Sequence, residues 1–175
     1  MTVPVLTRPP APDEYAPFYH GYVTAVPDGD VLATLAAQRA AALARRDPAG
    51  RAGHRYAEGK WSVREVLGHL ADVERIFGYR ALCIGRGDGT PLPGFDENAY
   101  VAAAGADARP LPELAEELDA VRRATLALYR GLTATALERA GTANGARVTV
   151  RALAYIIAGH EAHHLRILRE RYGVG

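Results

Sequence analysis

A single cysteine, Cys83, stands in the 175 residues, so no intrachain disulfide can staple this fold and a reducing compartment suits it. Cys83 itself reads as a small buried hydrophobe on a helix. Structural zinc sites usually take four protein ligands, often cysteines, and this chain cannot provide them. Long apolar runs are missing as well: no uninterrupted stretch of about 18 residues occurs, which argues against a membrane-spanning helix. Met1 to Pro12 carries prolines and an arginine where a secretory leader needs an apolar stretch. The resulting expectation is a cytoplasmic protein with no membrane partner. Charge of one sign is also lacking. With 21 Lys and Arg against 20 Asp and Glu the formal charge is +1, and with no basic cluster nothing recommends nucleic acid as a partner. Period-two alternation, the mark of strands, is nearly absent.

What is present is helical periodicity, in an amount that suits one domain with one core. The predicted class is all-α, an N-terminal arm over residues 1–27 followed by a four-helix bundle over 28–175. The arm is rich in proline and tyrosine (Tyr15, Tyr19, Tyr22) and is expected to pack across the bundle, with a short helical turn from Asp13. The first long helix is predicted from Val31 to Arg46, capped by Asp28 or Asp30, with Leu32, Leu35 and Leu43 inward and Asp47-Pro48 as its stop. The second starts at a capping box of Ser62 and Glu65, with Trp61 and Val66 as the hydrophobic staple. Its inner stripe runs Val66, His69, Leu70, Val73, Ile76, Phe77, and it ends near Gly85 in a Gly- and Pro-rich loop to about Arg109. The third spans about Pro112 to Leu132, with Leu114, Leu118, Val121, Thr125 and Leu128 inward and Glu113, Glu116 and Glu117 solvated near its positive end. Asn144-Gly145 marks a turn. The fourth helix begins near Thr149 and stops at Gly173.

The most informative segment is His160-Glu161-Ala162-His163-His164, set inside the apolar run Leu153 to Leu168. Residues four apart on a helix share a face, with Cβ atoms about 5 to 6 Å apart, so His160 and His164 can reach one ion. Leu153, Ile156, Ile157, Ile167 and Leu168 fall at helical offsets from them, which puts the pair on the buried stripe. Buried imidazoles left unsatisfied cost about 1 to 3 kcal/mol each, and a divalent cation satisfies both. His69, on the core face of the second helix, supplies a third nitrogen. Three histidines from two facing helices leave an open fourth position, as in catalytic zinc sites. The segment also spells H-E-x-x-H, the zinc-protease signature. Such enzymes usually take a downstream third ligand, yet only eleven residues follow His164, none of them His and only Glu170 acidic. A di-iron bundle would need Glu-x-x-His twice, and it occurs once.

Lys60-Trp61-Ser62, the run Gly68-His69-Leu70-Ala71-Asp72-Val73-Glu74-Arg75, and Gly159 to His164 resemble, in this order, the DinB-like superfamily. Pro12 to Tyr22, Pro91 to Asp96 and Val150 to Ile157 also resemble its subgroup with an extended N-terminus. The resemblance covers nearly the whole chain. It implies an up-down-down-up four-helix bundle, often a homodimer, with a nickel or zinc ion on His69, His160 and His164. Related members join bacillithiol to electrophiles, isomerise maleylpyruvate with mycothiol, or form the metal-binding domain of ergothioneine-forming synthases. That implies a thiol-dependent S-transferase in which the ion acidifies a low-molecular-weight thiol. A noncatalytic metal- or ligand-binding stress-response protein is the alternative, and a metal-dependent hydrolase a third reading. Glu161 and His163 are secondary catalytic candidates: His163 points about 100° away from His164 and suits the pocket rim or a supporting place behind the ligands, while Glu161 reads first as an exposed helix residue. Asp72 and Glu74 suit ion pairs. Arg75, Tyr79 and Arg80 are candidates to orient the carboxylate of a thiol cofactor. His20 and His54 have no assigned role. Leu35, Ala36 and Leu43, with apolar positions on the third helix, point to a twofold dimer.

Overall fold

The structure is a computed structural model that describes residues 4–44 and 50–174. The arm comes first. Three single 3-10 turns, Pro4–Thr7, Pro12–Glu14 and Pro17–Tyr19, lead into the one-turn helix α1 (His20–Val23). Each turn opens on proline, whose fixed φ and missing N–H suit a first helical position. Four long helices follow, α2 (Val31–Ala44), α3 (Val63–Gly85), then past the short α4 (Glu97–Ala104) the helix α5 (Leu111–Arg130), and finally α7 (Val150–Tyr172) after the short α6 (Ala134–Glu138) and the hairpin of β1 (Ala140–Ala143) and β2 (Ala146–Thr149).

Helix starts follow local chemistry. The Asp30 carboxylate accepts the Leu32 amide at 2.9 Å, which settles the cap of α2. Ser62 Oγ accepts the Glu65 amide at 3.1 Å while the Glu65 carboxylate accepts the Ser62 amide at 2.8 Å, a complete capping box. Thr149 Oγ1 accepts the Ala152 amide at 3.1 Å, and Gly173 ends α7 at φ 64°, a left-handed value that glycine adopts without strain.

Side-chain pairings give the helix directions. Along α3 and α5, Arg75 meets Glu117 at 2.7 Å, Glu74 meets Arg122 and Gly85 lies against Leu132, so these two run parallel. Along α3 and α7 the order reverses: His69 meets His160, whereas Gly85 lies near Val150. Leu35 and Arg39 of α2 reach Arg122 and Asp119 of α5, antiparallel. The bundle is therefore up-down-down-up. Parallel neighbours α3 and α5 force their connection to travel the length of the bundle, and residues 86–110 do so.

The core is divided. One apolar cluster joins the arm, the hairpin end and residues such as Val73, Phe77, Leu126, Leu153 and Ile156; another joins Val66, Leu70, Leu114, Leu118, Leu168 and Tyr172 at the opposite end. Between them lies a polar layer of His69, Glu74, Asp119, Arg122, His160 and Glu161, all buried.

Four expectations need correction. The 86–109 connection is not only loop: Asp96 accepts the Asn98 and Ala99 amides at 2.9 and 3.1 Å and starts α4. A hairpin precedes α7, closed by Asn144-Gly145 with φ 50° and 74°; with Ala143 paired to Ala146 this is a two-residue type I′ turn, and its strands are too short for period two to show. On α5 the stripe is rotated, with Arg122 and Tyr129 fully buried while Val121 and Leu128 are half-exposed, because the polar layer claims a core position that hydrophobicity alone assigns to an aliphatic residue. Leu35 is buried inside the bundle, so it offers no free face for a dimer. Leu43 and the stop at Arg46-Asp47-Pro48 lie outside the residues whose side chains or backbone are described.

Candidate metal centre

The capping box at Ser62 sets where α3 begins, and His69 then falls on the face turned toward α7. On α7, His160 and His164 are one turn apart and share that opposing face. The Nε2 atoms converge: His160 Nε2 is 3.1 Å from His69 Nε2 and 3.1 Å from His164 Nε2. All three ligand atoms lie within 4.8 Å of one another. Burial drives the His69 pKa from 6.5 to about 4. Burial, then the neighbouring His69 and His163, takes His164 to about 3, and burial above all holds His160 well below the ordinary value. At neutral pH all three rings are uncharged.

Hydrogen bonding alone does not satisfy this cluster. A ring nitrogen has either one N–H or one in-plane lone pair, so His160 Nε2 cannot serve both of its nitrogen neighbours well. A divalent cation can. Bonds of about 2.0 to 2.1 Å in tetrahedral geometry space ligand nitrogens about 3.3 Å apart, close to the 3.1 Å observed. No carboxylate or thiolate completes the set among the described residues, so the fourth side faces the adjoining cavity.

That cavity has a volume of about 330 Å³ and is walled by aromatic rings, including Tyr19, Tyr22, Trp61, Phe77 and Phe95. Trp61 has its ring 4.6 Å from His69 and stacks on His164 at 6.3 Å. Tyr22 meets both His160 and His163 edge-on at 5.4 Å. The arm approaches this closely because α7 carries glycine at 159: a Cβ there would drive into the Tyr22 carbonyl. In the sequence pattern Trp61 is a staple and the arm tyrosines are packing; their lining role depends on which elements meet, and only Gly159 hints at a close approach.

The other candidates separate. His163 lines the cavity; burial and then the Arg166 charge lower its pKa. Glu161, far from being exposed, is 2% accessible, and its Oε2 accepts from Arg122 Nη2 at 2.6 Å. It faces into the bundle, away from the cavity, which also removes the general base that H-E-x-x-H proteases require. Arg75 pairs on the surface with Asp72 and Glu117. Tyr79 is 57% exposed and lies outside the aromatic cavity. Arg80 is buried and lines it. Asn144, at the hairpin tip, and Glu97, at the start of α4, also line it; the sequence marks Asn144 only as a turn residue and gives no signal for Glu97, whose helix is not foreseen. His20 bonds the Tyr15 hydroxyl at 3.1 Å, and His54 packs edge-on to Tyr172.

An open three-histidine site in an up-down-down-up bundle defines the class. The chain matches the DinB superfamily over residues 32–168 and belongs to it. Its fold is similar to that of YfiT from Bacillus subtilis, with TM-score 0.67 and 20% identity over 95% of this chain and 94% of that one. YfiT is described as a probable metal-dependent hydrolase with an unusual four-helix bundle topology. No curated protein matches this chain. Among the described residues, no helix is long and apolar enough to cross a membrane.

Proposed function

We infer that this chain is a metal-dependent enzyme that transfers a small thiol to an electrophile. The observation that carries the reading is the set of three neutral imidazoles converging on the wall of an aromatic cavity with no fourth protein donor. His69, His160 and His164 would hold a nickel or zinc ion, whose charge lowers the pKa of a thiol placed at the open side. The aromatic walls exclude water and so protect a thiolate from hydration. In the transfer a carbon–sulfur bond forms, the leaving group departs with its electron pair, and the thiol proton passes to solvent. A thiol suits the site better than water because a ready general base is missing. Glu161 is occupied by Arg122, and His163 turns its Nδ1 toward the Arg166 guanidinium at 3.5 Å, which disposes the other nitrogen to carry the proton.

Elemental analysis of the purified chain, followed by conjugation assays with cysteine-based thiols and an aryl halide, tests this. Turnover abolished by chelator and restored by metal supports transfer. Ester hydrolysis without thiol would favour a hydrolase with His163 as base, and metal binding without any turnover would favour a noncatalytic binding protein.

A further inference from the structure

Among the described residues, three arginines are almost wholly buried, Arg80, Arg122 and Arg151. Arg122 faces Glu74 and Glu161, and Arg151 faces Glu14. Among the described residues, Arg80 has no carboxylate within ion-pair distance. Its Nη2 donates to the Pro93 carbonyl at 2.7 Å, Tyr19 is a neighbour, and its guanidinium lies over the Phe77 ring, 5.2 Å from the centroid. A carbonyl, a phenol and a ring face orient a guanidinium without neutralising it. A buried charge without a counter-charge is costly, and the fork has five N–H donors to satisfy.

Arg80 lines the same cavity as His160 and His164. It follows His69 by eleven residues on α3, about three turns, so both project from one face about 16 Å apart along the axis. Helical side chains lean toward the N-terminus, which carries the guanidinium toward His69. Glu97 shares the cavity but is exposed and makes no ion pair with Arg80. We propose that Arg80 is the anion-binding residue of this cavity and holds the carboxylate of an elongated substrate whose reactive group lies at the three histidines. The place of the reactive group rests on the function read above; the carboxylate subsite does not.

Calorimetric titration of the metal-free full chain with hydrocinnamate and with hydrocinnamyl alcohol tests the subsite. The acid should bind at least about tenfold more tightly, as charge-assisted hydrogen bonds imply. Arg80→Gln should erase that preference, and Arg80→Lys, which keeps the charge and loses the fork, should retain part of it. Equal binding of acid and alcohol, or a preference unchanged in both variants, overturns the proposal; if Arg80→Gln does not fold, Arg80→Lys decides. A second arm loads cobalt and follows the thiolate absorption band with mercaptooctanoate and mercaptooctanol. Acid preference in the first arm with no cobalt–sulfur band removes the thiol reading and leaves the carboxylate subsite standing. Thiol binding with no preference for the acid in either arm does the reverse.

Discussion

His160 and Glu161 are consecutive residues of α7, both buried, yet they belong to two polar regions of opposite character. Glu161 joins Glu74 and Gln38 around Arg122, where the guanidinium donates to Glu74 at 2.7 and 2.8 Å, to Glu161 at 2.6 Å and to the Leu35 carbonyl at 2.9 Å. Four helices meet there, and the arginine is fully answered within the protein. His160 instead meets two imidazoles that cannot all be satisfied by one another. The cluster around Arg122 answers its charges within the protein and leaves one carboxylate oxygen, Glu161 Oε1, without a partner, whereas the histidines leave convergent lone pairs beside a cavity. Arg80 and Arg122 repeat the contrast within one residue type.

The comparison breaks most readily at Arg122. Arg122→Ala strands two buried carboxylates and should cost about 3 to 5 kcal/mol of stability, read from the urea midpoint; a loss below about 1 kcal/mol would mean the layer is not the structural tie described. Gly159→Ala comes next, at about 1 to 3 kcal/mol for forcing a methyl into packed backbone. Hydrogen exchange should then rise selectively at residues 19–23, and an unchanged arm would contradict the close approach to Tyr22.

On the ligand side, His69→Ala, His160→Ala or His164→Ala should each lower metal content after dialysis by about tenfold or more, since two imidazoles compete poorly with buffer. The metal-free melting temperature should move little, because removing an imidazole relieves a buried polar group. If His69→Ala kept full occupancy, the site would have to be redrawn without α3. Acid sharpens the same contrast. His69 titrates at about 4 and His164 at about 3 in the fold, against 6.5 in the free state. The unfolded chain therefore takes up protons first, so metal-free stability is full above pH 6.5 and declines as the pH falls toward 4. A melting temperature flat across that window would show the rings to be more solvated than their burial implies. The smallest effect is expected for His163→Ala, which should leave most of the metal bound.

The bundle, the capping box at Ser62 and the three histidines were legible in the sequence because helical period places side chains by local geometry alone: spacing of four aligns His160 with His164, and the core stripe of α3 includes His69. The charged layer was not legible, since Arg122 at a core position makes sense only once Glu74 and Glu161 arrive from two other helices. The cavity was not legible either. Trp61, Tyr22, Glu97 and Asn144 converge from a loop, the arm, a short helix and a hairpin tip, positions set by how the elements pack. Sequence by itself determined the four long helices and the nitrogen donors, through interactions within a few residues. Only the tertiary structure decided what those donors face, which arginine lacks a counter-charge, and where the cavity opens, because each depends on contacts between residues far apart in the chain.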